Sequence, residues 1–188
     1  ILADDLGFED LGFQGSRDIR SPHLDSLAAQ SIRFTDGHTT ASVCSPSRAG
    51  LMTGRYQQRF GHEANTPSYP NGRDLKEVTR AQRLKTLGYR TAVIGKWHLG
   101  DTDDQYATAR GFDTFYGLRE GSRSYFYDPT KNDKPGNYHA IERNGQQVKF
   151  HGYLTDVLGD QAIEFVKQPS DQPFFVFLSF TAPHGPLQ

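Results

Sequence analysis

The sequence predicts an α/β fold, a largely parallel sheet with helices on both faces. Three observations carry that prediction. Strand-like and helix-like patterns alternate along the chain, residues 174–180 form a continuous apolar run, and polar clusters fall just after strands or at helix starts. Alternation argues for parallel pairing, an unbroken apolar run for a strand covered on both faces, and the polar clusters for a reaction site beyond the strand ends. A chain of 188 residues is long enough to bury a core, as one domain or as part of a larger one. Ile1-Leu2-Ala3 reads as the tail of a strand already under way, and nothing resembling a terminal element follows Pro183-His184-Gly185-Pro186. The fold is therefore expected to be incomplete at both ends.

The elements follow in order. Residues 1–3 end a strand, and Asp4-Asp5-Leu6-Gly7 is its exit loop. Ser21-Pro22 offers a cap and a first-turn proline for a helix to residue 30, with Leu24, Leu27 and Ala28 on one face. Residues 32–35 read as a short strand. Ser45-Pro46 starts a helix that runs toward Thr53, where Gly54 ends it. Leu75, Val78, Ala81, Leu84 and Leu87 recur every three residues and predict a helix over 75–87, with Gly88 at its C-cap. Residues 89–94, rich in β-branched side chains, follow as a strand. Residues 118–150 are polar, rich in glycine and tyrosine, and weakly periodic, with Asn144-Gly145 marking a hairpin turn. A helix over 154–166 turns Leu154, Val157, Leu158, Ala162 and Phe165 to the core, and the strand at 174–180 completes the pattern. There is no internal repeat or low-complexity linker.

Charge and composition exclude some functions. Lys and Arg number 21 against 22 Asp and Glu, so no electrostatic footprint for nucleic acid or an anionic membrane is present. No apolar run approaches the roughly 18 residues of a membrane span. The lone cysteine, Cys44, cannot form an internal disulfide and leaves the redox compartment open.

Four clusters can carry chemistry. Asp4 and Asp5 are adjacent carboxylates, costly to place together unless a cation lies between them, which points to Ca²⁺ or Mg²⁺. The alternative is a turn cap beside a solvated acid. In Cys44-Ser45-Pro46-Ser47-Arg48, Ser45 suits the cap, Pro46 the first turn, and Cys44 the space just outside the helix where free amides favour an anion. Arg48 can reach back with a fork that matches sulfate or phosphate oxygens; a structural cysteine and a surface arginine are the plainer reading. Lys96 and His98, two apart in Gly95-Lys96-Trp97-His98-Leu99-Gly100, share one side of an extended backbone and offer a point charge and a proton shuttle. A strand end with exposed polar residues reads the same way. His184, in a proline-flanked loop after a buried strand, is a leaving-group donor, a substrate contact or a structural hydrogen-bonding group.

Together these segments resemble the type I sulfatase family of the alkaline-phosphatase superfamily. The resemblance rests on Leu2-Ala3-Asp4-Asp5-Leu6-Gly7, Cys44-Ser45-Pro46-Ser47-Arg48 with Leu51-Met52-Thr53-Gly54, Gly95-Lys96-Trp97-His98-Leu99-Gly100, Gly111-Phe112-Asp113 and Ala182-Pro183-His184, in the family's order. It implies an alkaline-phosphatase-like sheet and a sulfuric ester hydrolase whose Cys44 is oxidised to Cα-formylglycine by a separate maturation enzyme. One hydroxyl of the hydrated aldehyde attacks sulfur, and the other then expels sulfate, a release that an ordinary serine ester could not drive. Asp4 and Asp5 would ligate Ca²⁺ (or Mg²⁺), Arg48 would position the nucleophile and Lys96 would bridge it to sulfate. His98 would take the proton that triggers release, and His184 would face the leaving oxygen.

The same resemblance makes residues 1–188 the N-terminal part of a catalytic domain. Further metal ligands, a second lysine and a smaller C-terminal subdomain are expected beyond Gln188. Residues 183–188 look like the version in sulfatases that act on sugar sulfates, so the expected partner is a sulfated small molecule or glycan. Tyr125, Tyr127, Tyr138 and His139 either contact substrate or pack the loop. Export to a periplasmic, extracellular or lysosomal compartment is implied by the family. A phosphomonoester or phosphonate hydrolase of the same superfamily, or an inactive carbohydrate- or anion-binding homologue, are the rival readings.

Overall fold

The computed structural model describes residues 1–65 and 76–187. Six strands form one sheet in the order β1-β6-β2-β3-β4-β5. They are β1 (Leu2–Asp4), β2 (Arg90–Lys96), β3 (Thr114–Leu118), β4 (Glu142–Arg143), β5 (Gln146–Gln147) and β6 (Phe174–Pro183). The three pairings among β1, β6, β2 and β3 are parallel, and the short β4 and β5 add antiparallel at one edge. The largely parallel sheet anticipated from sequence is thus present.

Helices cover both faces. On one side α2 (Cys44–Thr53) and α3 (Arg80–Lys85) contribute Ala49, Met52 and Ala81 to a cluster with Val93, Trp97, Phe115 and Phe177. On the other, α4 (Leu154–Lys167) packs Leu154, Leu158, Ala162 and Phe165 against Ile94, Tyr116 and Leu118, with Val157 partly buried. The strand β6 explains its own composition. Phe175 and Phe177 face the first cluster, while Val176, Leu178 and Phe180 face the second, so side chains on both faces of the strand meet apolar neighbours. Asn144 (φ 49) and Gly145 (φ 86) make the expected tight turn between β4 and β5, both in the left-handed region that such a hairpin needs.

The structure corrects four readings. Residues 32–35 form no strand; Ile32 and Phe34 are each 86% exposed, so their apolar pattern has no sheet to join. The first helix, α1 (Pro22–Ala29), has no buried residue. Its Leu24, Leu27 and Ala28 line an open groove of about 490 Å³ with Phe8, Ile32 and Phe34 instead of meeting the core. The helix expected over 75–87 is only Arg80–Lys85. Thr79 fixes its start through a capping box with Gln82 and donates to the Arg110 carbonyl at 2.6 Å. Leu87 is exposed, Gly88 turns the chain at φ 83 after a C-cap at Thr86, and Leu75 lies outside the described residues. Finally, β3 went unpredicted. It contains Gly117, where a Cβ would stand 1.8 Å from the Gly95 carbonyl oxygen, and the glycine that permits this approach also weakens the strand signature.

Candidate active site

Three parallel strands deliver their carboxyl ends to one edge: Asp4 from β1, Lys96 from β2, and the segment leading to His184 from β6. The start of α2 meets them there. Cys44 is the first residue of that helix and Val43 its N-cap, so the cap expected at Ser45 is displaced toward the N-terminus. Ser45 Oγ is engaged elsewhere, donating to the His98 carbonyl at 2.7 Å and lying 2.7 Å from His62 Nε2. Gly54 ends the helix as anticipated, in the left-handed region at φ 68.

Asp4 is buried between two cations. Lys96 Nζ donates to its Oδ2 at 2.5 Å, and Arg48 Nη2 lies 3.3 Å from its Oδ1. Arg48 Nη1 also donates to the Lys96 carbonyl at 2.8 Å and to Ser179 Oγ on β6. Burial pulls the Arg48 guanidinium below its usual range, and the neighbouring Asp4 charge opposes that pull. The two adjacent acids have parted. Asp5 turns out of the strand at φ 62 with its side chain 65% exposed, and its Oδ2 lies 3.6 Å from His184 Nε2. His184 Nδ1 contacts the Gly185 carbonyl at 2.7 Å, and its backbone carbonyl accepts from Tyr125 Oη at 2.7 Å.

His98 Nδ1 stands 3.3 Å from Cys44 Sγ. The two residues Lys96 and His98 do reach one site, but not through extended alternation. The strand ends at Lys96, and His98 adopts a left-handed backbone at φ 52. Trp97 points away into the core and donates Nε1–H to the Gln105 carbonyl at 3.0 Å. Gly121 packs against the His98 ring so closely that a Cβ there would lie 2.6 Å from it. Burial, then the positive charges of Lys96 and Arg48, lower the His98 pKa to about 3. The imidazole is neutral near pH 7 and able to accept a proton.

Asp4, Cys44, Arg48, Lys96 and His98 are therefore gathered around one point, and Asp5 with His184 forms its exposed rim. Sequence reasoning missed Ser179, His62 and Asn65. Asn65 accepts from the Ser45 amide at 2.8 Å and donates to Cys44 Sγ at 3.2 Å. Its only sequence signal was a polar stretch, Gly61-His62-Glu63-Ala64-Asn65, soon after the cysteine helix.

Buried positive charge at the carboxyl ends of a parallel sheet, beside a small nucleophilic side chain at a helix start, suits a tetrahedral oxyanion. That places the chain in a class of α/β proteins whose site suits a tetrahedral oxyanion. The chain belongs to the sulfatase family, whose sequence profile matches residues 1–188, within the formylglycine-dependent branch of the alkaline-phosphatase superfamily. Mouse arylsulfatase J is 38% identical over 196 residues, an alignment covering all of this chain and 32% of that protein. The solved structure of Ps i-CgsB in complex with k-i-k-neocarrahexaose superposes with a TM-score of 0.90 at 36% identity, covering all of this chain and 45% of that one. BT4656, solved with its substrate D-glucosamine-2-N,6-O-disulfate, gives 0.78 at 27% identity, covering 97% of this chain and 33% of that one. The chain thus spans about a third of the mouse relative and under half of these structures.

Proposed function

We propose that the intact protein hydrolyses a sulfate monoester on a sugar or polysaccharide, with Cys44, oxidised to formylglycine by a maturation enzyme, as its nucleophile. The observation that carries this is the Cys44 side chain, held at the start of α2 against the neutral imidazole of His98, which itself feels the charges of Lys96 and Arg48. Once formed, a formylglycine hydrate would supply one hydroxyl to attack sulfur and a second to release sulfate. The rest falls to the chain's own residues. His98 Nδ1 accepts the proton from the side chain at 44. Arg48 and Lys96 place positive charge where the sulfuryl oxygens gain negative charge. His184, on the exposed rim, faces the departing alcohol.

Of the two acids expected to ligate a hard cation, Asp5 is open to one, whereas both Asp4 oxygens are engaged by Lys96 and Arg48. Both are oxygen donors, and the exposed Asp5 carboxylate has only a long contact to His184. Among the described residues no group of three or more His, Cys, Asp or Glu could hold a metal ion, so these two would need donors from elsewhere. A Ca²⁺ (or Mg²⁺) held by them would polarise a sulfate oxygen.

A sugar is favoured by the relatives solved with k-i-k-neocarrahexaose and with D-glucosamine-2-N,6-O-disulfate, and by a cavity of about 440 Å³ beside the site. Ser122, Ser124, Asn132 and His139 line it with Phe126, a mixture of hydrogen-bonding groups and an aromatic face suited to a pyranose. Ser122 follows the Gly121 that packs on His98, and Pro186 from the His184 loop forms another wall. Of the four candidate substrate residues, Tyr127 and His139 reach this cavity, while Tyr125 is buried and stacks on Tyr153. Among the described residues no helix is long and apolar enough to cross a membrane, and export follows the family reading. The test is turnover of an aryl sulfate against the matching aryl phosphate by the intact protein, with the residue-44 peptide weighed. Faster sulfate turnover that Cys44→Ala abolishes supports the reading; faster phosphate turnover, or activity surviving Cys44→Ala, overturns it.

A further inference from the structure

We infer that Asn65 is a positioning residue for the side chain at position 44, orienting it for reaction and presenting it with a hydrogen-bond donor. This rests on the sulfatase reading above. A helix start leaves backbone amides unpaired, and Val43 at the N-cap has no side-chain acceptor to offer them. Asn65 takes that duty from another part of the chain, its Oδ1 accepting from the Ser45 N–H at 2.8 Å. This bond fixes which way the amide faces, because the reverse orientation would set NH₂ against N–H. Nδ2 is thereby aimed at Cys44 and donates to Sγ at 3.2 Å.

His98 Nδ1 approaches the same sulfur at 3.3 Å, so the side chain at 44 is bracketed between an amide donor and an imidazole. Ser45 locks the bracket. Its single hydroxyl proton goes to the His98 carbonyl, and it accepts from His62 Nε2, tying the helix start to the strand end that carries His98. An NH₂ donor directed at the side-chain atom of residue 44 favours negative charge there, on sulfur in the cysteine form and on oxygen after oxidation.

Two variants of the intact protein separate the duties. Asn65→Asp keeps an acceptor for the Ser45 amide and loses the donor, while Asn65→Ala loses both. In protein left as cysteine, iodoacetamide labelling of Cys44 should slow about tenfold in Asn65→Asp, since a carboxylate replaces the donor beside the thiolate. In oxidised protein, kcat per formylglycine, counted from the mass of the residue-44 peptide, should fall about 10- to 100-fold with KM within about threefold. Wild-type labelling and wild-type kcat per formylglycine in Asn65→Asp overturn the inference, as does a loss of activity that tracks formylglycine content alone. If the wild-type protein hydrolyses no sulfate ester, the proposed function fails, and the labelling rate still decides the role of Asn65.

Discussion

Replacing His98 by asparagine should remove one source of acid sensitivity from the fold. The substitution suits the site, because asparagine tolerates the left-handed backbone found there at φ 52. In the unfolded chain an imidazole takes up its proton near pH 6.5. In the folded protein, burial and the charges of Lys96 and Arg48 delay protonation to about pH 3. Between those values the unfolded state binds more protons, so the His98 contribution is complete above pH 6.5 and drains away as pH falls toward 3. Integrated from pH 7 to pH 4.5, the loss is on the order of 2–3 kcal/mol. Urea unfolding of wild type and His98→Asn at those two pH values reads it directly. Packing and hydrogen bonding that asparagine fails to reproduce shift both measurements equally and cancel, so wild type should lose on the order of 2–3 kcal/mol more than the variant on acidification. Equal losses would refute the reasoning, for they would mean that His98 protonates in the folded protein as readily as in the unfolded one.

Three further outcomes are expected. Asp4→Ala strands Lys96 and Arg48 as buried cations and should cost about 3–5 kcal/mol in chemical denaturation, whereas Lys96→Met leaves Arg48 to balance Asp4 and should cost visibly less. Arg123→Met should destabilise by a similar amount, about 3–5 kcal/mol, and pairing it with Asp133→Leu should restore most of the loss; failure of the double variant to recover would show that the arginine's bonds to loop carbonyls dominate. Gly95→Ala would place a Cβ 1.9 Å from the Ser179 carbonyl oxygen at φ 109, and should cost at least about 3 kcal/mol, read as a lowered melting temperature and loss of soluble protein.

The sequence made the chemistry of the site legible before its geometry. Asp4, Cys44, Lys96 and His184 could be located because each ends or follows a strand or opens a helix, and helix ends and strand ends leave local marks in composition. What went unread depends on partners far along the chain. Asn65 and His62 act on a helix 17 to 21 positions away and carry no pattern of their own. The irregular segment was legible as a loop but not as an ordered one. Arg123 organises it, with both terminal nitrogens on Asp133 at 2.8 and 2.9 Å and further bonds to the His139, Phe126 and Ser124 carbonyls. Apolar residues misled in the opposite direction. Ile32 and Phe34 read as a strand, and Leu24 and Leu27 as a core face, since hydrophobicity alone does not say what a residue will be buried against.

The placement of β6 has a consequence for how such a site comes into being. It lies between β1 and β2, although in chain order it follows both by dozens of residues. During synthesis from the N-terminus, the segment bearing Asp4 leaves the ribosome long before the strand that will seat it, and β2, which carries Lys96, must likewise wait for β6 to pair alongside it. Until then carboxylate and ammonium remain hydrated strangers. β6 is the strand that joins β1 to β2, and a nascent chain that has laid it down can bring the two charges face to face.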